Sequence, residues 1–131
     1  MRVVLVLFAV LLLPAAETGE KDHGEWMKTI GQAMGSLKKS LSEGQPVAIA
    51  TQARQLEESF HKVRDFWGKR DASDAVRFAR QAETSAAAIA KLAAAGDLKS
   101  IADPMEDLTA SCGACHNVHR YRLPGGGFRV F

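Results

Sequence analysis

Residues 105–119 read Met105-Glu106-Asp107-Leu108-Thr109-Ala110-Ser111-Cys112-Gly113-Ala114-Cys115-His116-Asn117-Val118-His119. Met105, Leu108, Cys112, Cys115 and His119 recur at spacings of 3, 4, 3 and 4, the repeat of one helix face. The stretch reads as an amphipathic helix whose inner stripe runs through both cysteines of the chain. Thiols at i and i+3 share a helix face, from which both can attack the vinyl groups of one porphyrin. The His116 imidazole stands directly behind them as a ligand for the iron. Cys112-Gly113-Ala114-Cys115-His116 is thus the C-x-x-C-H pattern of covalent c-type haem attachment.

Upstream, three further stretches carry the same helical repeat. The first runs from about Asp22 to Ser42, with Met27, Ile30, Met34, Leu37 and Leu41 spaced 3, 4, 3, 4, and stops at Gly44. Gly31 and Gly35 each cost about 1 kcal/mol inside a helix relative to Ala. Two such penalties point to something bulky close by, either a neighbouring helix or a flat cofactor. The second helix starts at Pro46, suited to a first turn, and carries Ile49, Ala53, Leu56, Phe60, Val63 and Trp67 up to Gly68. A short connection to Arg70 makes the second and third helices antiparallel neighbours. The third, capped by Asp71 or Ser73, carries Ala75, Phe78, Ala82, Ser85, Ile89 and Leu92 and ends at Gly96. Its alanine-rich part permits close approach. The fourth begins near Asp97 with Leu98 and Ile101, is interrupted by Pro104 and restarts with Asp103 as cap. No convincing strand is visible, and no repeat or second domain. Leu123-Pro124-Gly125-Gly126-Gly127 excludes helix, and Phe128 to Phe131 follow it without a clear pattern.

The expected fold class is all-α: an antiparallel four-helix bundle with covalent haem on the last helix. The chain divides into a signal peptide at 1–16, the bundle at 17–122 and a Gly-rich tail at 123–131. Met1-Arg2 followed by the apolar run Val3 to Leu13 and Pro14-Ala15-Ala16 is an export signal. That run is too short to span a bilayer, which takes about 20 helical residues. Cleavage is expected after Ala15, Ala16 or Gly19, with an uncleaved anchor as the minor reading. The whole chain has 17 basic and 15 acidic residues, net +2, and losing Arg2 leaves +1. So small a charge gives no reason to expect nucleic acid as a partner. Export and haem attachment agree in compartment, the periplasm, and no stable membrane insertion is expected after cleavage.

Each candidate has a plainer reading. The cysteines alone would fit a surface disulfide, whose small loop adds little stability. A thioredoxin-like pair would need a βαβ context that is missing, and a zinc site would need ligands beyond the nearby His119. His119 is taken as a pocket wall or propionate partner, and His61 and His23 as solvated surface. Methionines in a helical stripe, Met27 and Met34 included, are usually core packing. Lys38 and Lys39 belong to a solvated bundle exterior.

The sequence resembles the class II cytochromes c, the cytochrome c′ family and its low-spin relatives. Met27-Lys28-Thr29-Ile30-Gly31-Gln32-Ala33-Met34-Gly35 matches the M-K-x-I-G-x-x-M-G pattern of the low-spin branch throughout. Bundles of this kind, cytochrome c′ among them, hold cofactors between their helices. The resemblance implies haem c attached through Cys112 and Cys115, His116 as proximal ligand and Met27 as distal ligand on the facing first helix. High-spin members have a non-ligand such as leucine there. It also implies a haem-binding role for Arg120, since the family has an aromatic and then an arginine shortly after the haem histidine and His119-Arg120 stands there. Trp67 is the nearest counterpart of the family's tryptophan at the start of the third helix. Three features depart from the pattern: His23 where the family has arginine four residues before the distal position, a short second connection, and the Gly-rich tail.

The expected function is a periplasmic one-electron carrier rather than an enzyme, with redox proteins as partners. The resemblance adds a possible homodimer through the first two helices. The alternative is a five-coordinate protein that binds nitric oxide or carbon monoxide as sensor or scavenger. A haem-free thiol or interaction module is the third reading.

Overall fold

The computed structural model describes residues 15–131. The expected signal segment lies outside them, apart from Ala15 and Ala16 at the head of the first helix. Four helices follow in order: α1 Ala15–Ser42, α2 Pro46–Gly68, α3 Ser73–Ala94 and α4 Ala102–His119. A short 3-10 turn at Lys99–Ile101 leads into α4, and two short strands, β1 Arg120–Arg122 and β2 Phe128–Val130, close the chain. The all-α four-helix bundle expected from the periodicity is what forms, with a small hairpin added at its end.

The first three helices end in the same way. After α1 the Gln45 N–H donates to the Ser40 carbonyl and Gly44 to Leu41, with Gly44 at φ 64°. After α3, Asp97 donates to Leu92 and Gly96 to Ala93, with Gly96 at φ 74°. These crossed bonds satisfy carbonyls that the helix leaves over, and they need a left-handed residue that glycine supplies cheaply. At the end of α2 the same closure uses Asp71, at φ 54°, with Ala72 donating to Trp67 and Asp71 to Gly68.

That placement corrects the expected cap of α3. Asp71 is committed to closing α2, the N-cap is Ala72, and no side chain caps the helix. Asp74, in the first turn, accepts the Ala75 N–H at 2.9 Å instead. Pro104 does not interrupt the fourth helix either. It is the third residue of α4, where a missing N–H leaves no bond unmade, and Asp103 makes no cap. The carboxylate of Asp97 accepts from the Ser100 N–H and hydroxyl, at 3.3 and 2.6 Å, and so fixes the preceding turn.

The core lies chiefly between α2 and α3. Ile49, Ala53, Leu56, Phe60, Val63 and Trp67 of α2 are all buried, as the stripe requires. Against them α3 buries Ala75, Ala79, Ala82, Ala86, Ala90 and Ala93 together with Ile89. Small side chains bring the two backbones close, which makes this the most extensive pairing in the bundle. Arg64 of α2 and Glu83 of α3 tie the same seam at 2.7 Å, and His61, exposed as expected, joins them with Nδ1 3.1 Å from Glu83. α1 packs on α2 and α4 on α3, but α1 and α4 barely touch.

The tail is the main departure from the sequence reading. β1 and β2 pair antiparallel, Arg120 with Val130, Tyr121 with Arg129 and Arg122 with Phe128. Gly126 and Gly127 turn the connection at φ 92° and 79°, and the Leu123 N–H donates to the Gly127 carbonyl. Strands of three residues are too short for an alternating pattern to stand out.

Replacing Leu56, fully buried in the α2–α3 seam, by alanine is expected to cost about 2–5 kcal/mol of unfolding free energy. Val47→Ala, at a position 81% exposed, is expected to cost less than about 0.5 kcal/mol. Urea unfolding of the two variants beside the parent checks the contrast.

Candidate functional site

The seam that α1 and α4 leave open holds a cavity of about 610 Å³. One wall is α1, with His23, Met27, Ile30, Gly31 and Met34, and the opposite wall is α4, with Ser111, Cys112, Cys115 and His116. Phe60 and Val63 from α2 and Phe78, Ala79 and Ala82 from α3 form an apolar back. Arg120, Phe128, Arg129 and Val130 of the hairpin border one end. Cys112, Cys115, His116, Met27 and Arg120, far apart in the chain, therefore line one space.

Local sequence explains the placement. Cys112 and Cys115 continue the stripe of α4 beyond Leu108, which is fully buried, and the next face residues look into the cavity rather than into another helix. Both are free thiols and half-buried. Burial pushes the Cys112 thiol up, and the Cys115 thiol up to about 11, with the neighbouring Cys112 and Asp74 adding to the effect. A redox-active cysteine needs the opposite shift, toward thiolate at neutral pH, so the pair is a poor thiol catalyst. Burial holds the His116 imidazole below its ordinary range, with Arg120 adding to the shift. It is a neutral nitrogen base, the form that binds a metal.

His23 is where the sequence reading failed. Taken as solvated surface, it is only 5% exposed. Its ring lies 4.5 Å from that of Phe66 and 5.7 Å from that of Trp67. Burial, then the charges of Arg70 and His116, lowers its pKa to about 4, and its Nε2 has no hydrogen-bond partner. The signal was present: His23 precedes Met27 by four residues and extends the stripe of α1 one turn backwards.

His119 is also corrected. It does not line the cavity. Its Nε2 lies 2.9 Å from Asp74 Oδ2 and its Nδ1 2.6 Å from the Phe131 carbonyl, with the ring 4.8 Å from Trp67. The bond to His119 holds the Asp74 carboxyl below its usual range. Trp67 lies in the last turn of α2, as its stripe requires, rather than at the start of the third helix where the family has its tryptophan. Gly31 and Gly35 are not sites of close helix packing, for a Cβ added to either meets no protein atom within 4 Å. Gly31 lines the cavity and leaves it space, whereas nothing in the structure explains Gly35.

A family model described as Cytochrome C′ matches residues 21–120. The chain belongs to the cytochrome c′ family. Neither the curated proteins nor the solved structures give a significant match.

Membership in the cytochrome c′ family implies haem c, and the cavity fits such a group. It offers two thiols on one helix face, a neutral imidazole beside them, an apolar interior and an unpartnered buried imidazole nitrogen at His23. Among the described residues no three His, Cys, Asp or Glu side chains converge on a bare metal ion. The volume lies within the several hundred Å³ of ordinary cofactor sites.

The shift at His23 sets a pH dependence. An unfolded chain protonates this residue below about 6.5, while the folded one resists down to about 4. Between those values the unfolded state binds more protons, so stability falls with decreasing pH, by up to about 1.4 kcal/mol per unit. His23→Phe is expected to flatten that slope, which unfolding curves taken at intervals from pH 4 to 7 measure directly.

Proposed function

We propose that this cytochrome c′ family member is a periplasmic electron carrier with a six-coordinate haem c. The single observation that carries the reading is the position of Met27, on the α1 wall of the same cavity that Cys112, Cys115 and His116 line from α4. Cys112 and Cys115 would hold the group to α4 through thioether bonds, with His116 and Met27 as the residues that would ligate its iron. Haem c supplies a one-electron ferrous–ferric couple, and a methionine ligand raises its reduction potential. Ile30, Phe60, Val63 and Phe78 keep water from the interior of the site, while the two ligand helices hold their donors in place through the change of charge. No substrate turnover is part of this reading, and its partners are redox proteins. Localisation follows from the Met1 to Ala16 signal; among the described residues no helix is long and apolar enough to cross a membrane.

A second reading has an observation of its own. Gly31 stands on the cavity wall between Met27 and Met34, with nothing within 4 Å of a built Cβ. Such space on the distal side suits a diatomic gas at five-coordinate iron.

Visible spectra separate the two. The carrier reading expects a low-spin oxidised spectrum and a reduced protein that resists carbon monoxide. Met27→Leu then gives a high-spin spectrum, a lower reduction potential and rapid carbon monoxide binding. A parent protein that is already high-spin and unchanged by Met27→Leu would leave the gas-binding reading in its place.

A further inference from the structure

The family match ends at Arg120, yet the chain continues for eleven residues that the fold uses. The hairpin doubles back so that Phe128, Arg129 and Val130 border the cavity of the attachment cysteines. It is held at both ends. On the α4 side the Phe131 N–H donates to the His119 carbonyl at 3.2 Å, and the His119 ring bonds the Phe131 carbonyl in return. On the α1 side the Arg129 guanidinium meets Glu20 at 3.4 Å. The tail thus bridges the two helices that otherwise barely touch.

The charged side chains of the cavity wall come from α1 and from this bridge. Glu20, His23 and Lys28 come from α1, and Arg120 and Arg129 from the hairpin. Lys28 is engaged with Glu25 outside the cavity, at 2.9 Å. Glu20 is then the one carboxylate on a cavity wall that also carries the guanidiniums of Arg120 and Arg129, and the buried His23 Nε2 on the same wall has no partner. A guanidinium has five N–H donors, and the contact with Glu20 uses one edge of Arg129. The cavity wall carries more cationic donors than carboxylates. A haem brings two carboxylates at one edge, the chemistry that such a surplus of donors matches.

We propose that Arg129, on the C-terminal hairpin outside the family's matched region, binds a haem propionate and so makes the tail part of the haem site. The proposal rests on the haem reading above. Arg129 then divides its donors between Glu20 and the propionate. With Arg120 it would hold the propionates at the hairpin end of the seam.

The test uses the full-length holoprotein, Arg129→Gln, Arg129→Lys, Glu20→Gln and a chain ending at Leu123. A pyridine haemochrome spectrum first establishes covalent haem. The pH dependence of the reduction potential then gives the propionate ionisation, and resonance Raman gives the propionate bending band. Losing a guanidinium partner is expected to raise the propionate pKa by about one unit or more. Arg129→Gln and the shortened chain should both show that rise and a shifted band. Arg129→Lys should fall between them and the parent, because it keeps the charge and loses the fork. Glu20→Gln should leave the pKa unchanged or lower it, since it frees Arg129 for the propionate. A profile and band in Arg129→Gln that superimpose on the parent's would overturn the proposal. So would equal rises in Arg129→Gln and Glu20→Gln, which would make Arg129 a latch to α1 alone. Absence of covalent haem in the parent would remove the haem reading and the proposal together, an outcome distinct from both.

Discussion

The close approach of α2 and α3 is the constraint on which the rest of the structure depends. A face of alanines on α3 lets Leu56, Phe60 and Val63 of α2 pack at short range, and this seam buries most of the large apolar side chains. α1 and α4 are then attached to the outer flanks of that pair. A ring of four helices packed equally would bury its interior on itself. Here one pairing is tight and the opposite one is slack, and the slack side is the cavity. A space of about 610 Å³ lined by Phe60, Val63 and Phe78 would be a costly void in a core meant to be solid. Its apolar back and polar end are instead the division of a cofactor site, where a few polar groups orient a mostly apolar ligand.

Charge is distributed to match. The interior keeps its titratable groups neutral: burial depresses both His23 and His116 and raises both thiols. Formal charge is confined to the end, at Glu20, Arg120 and Arg129, and to the outer faces of the helices. A group whose charge changes by one unit is better served by a neutral surround with fixed cations at its edge than by mobile charge within. Arg120 takes part in both regions, since it borders the cavity and also adds to the burial that holds the neighbouring His116 below its ordinary range.

The helices, their order and the attachment motif were legible because they rest on periodicities of three and four residues, which the sequence displays directly. The stripe of α2 corresponds residue by residue to buried positions, and that of α3 does so except at Phe78 and Leu92, which are half-buried, Phe78 on the cavity wall. What escaped depends on contacts between distant segments. His23 looked like a solvated residue at a helix start, because its burial comes from Phe66 and Trp67 on α2. His119 shared the cysteines' stripe but meets Asp74 at the start of the antiparallel α3, a partner 45 residues away. Asp71 had the composition of a cap and became a closing residue because the chain needed a left-handed position there before α3 began. The hairpin was hidden for a different reason: its strands have three residues each, and their stability comes from docking on α4 and α1 rather than from their own pattern.

Within α4 itself only Leu108 and Ser111 are buried. A helix of eighteen residues with so little of its own surface enclosed by protein depends on what fills the space beside it. In thermodynamic terms the cofactor is part of the core, supplied from outside the chain, and α4 completes its burial against it. A reversibly bound ligand would stabilise the fold only in proportion to the logarithm of its concentration over its dissociation constant. Thioether bonds remove that dependence. Once Cys112 and Cys115 are joined to the porphyrin, the stabilisation of α4 does not weaken on dilution.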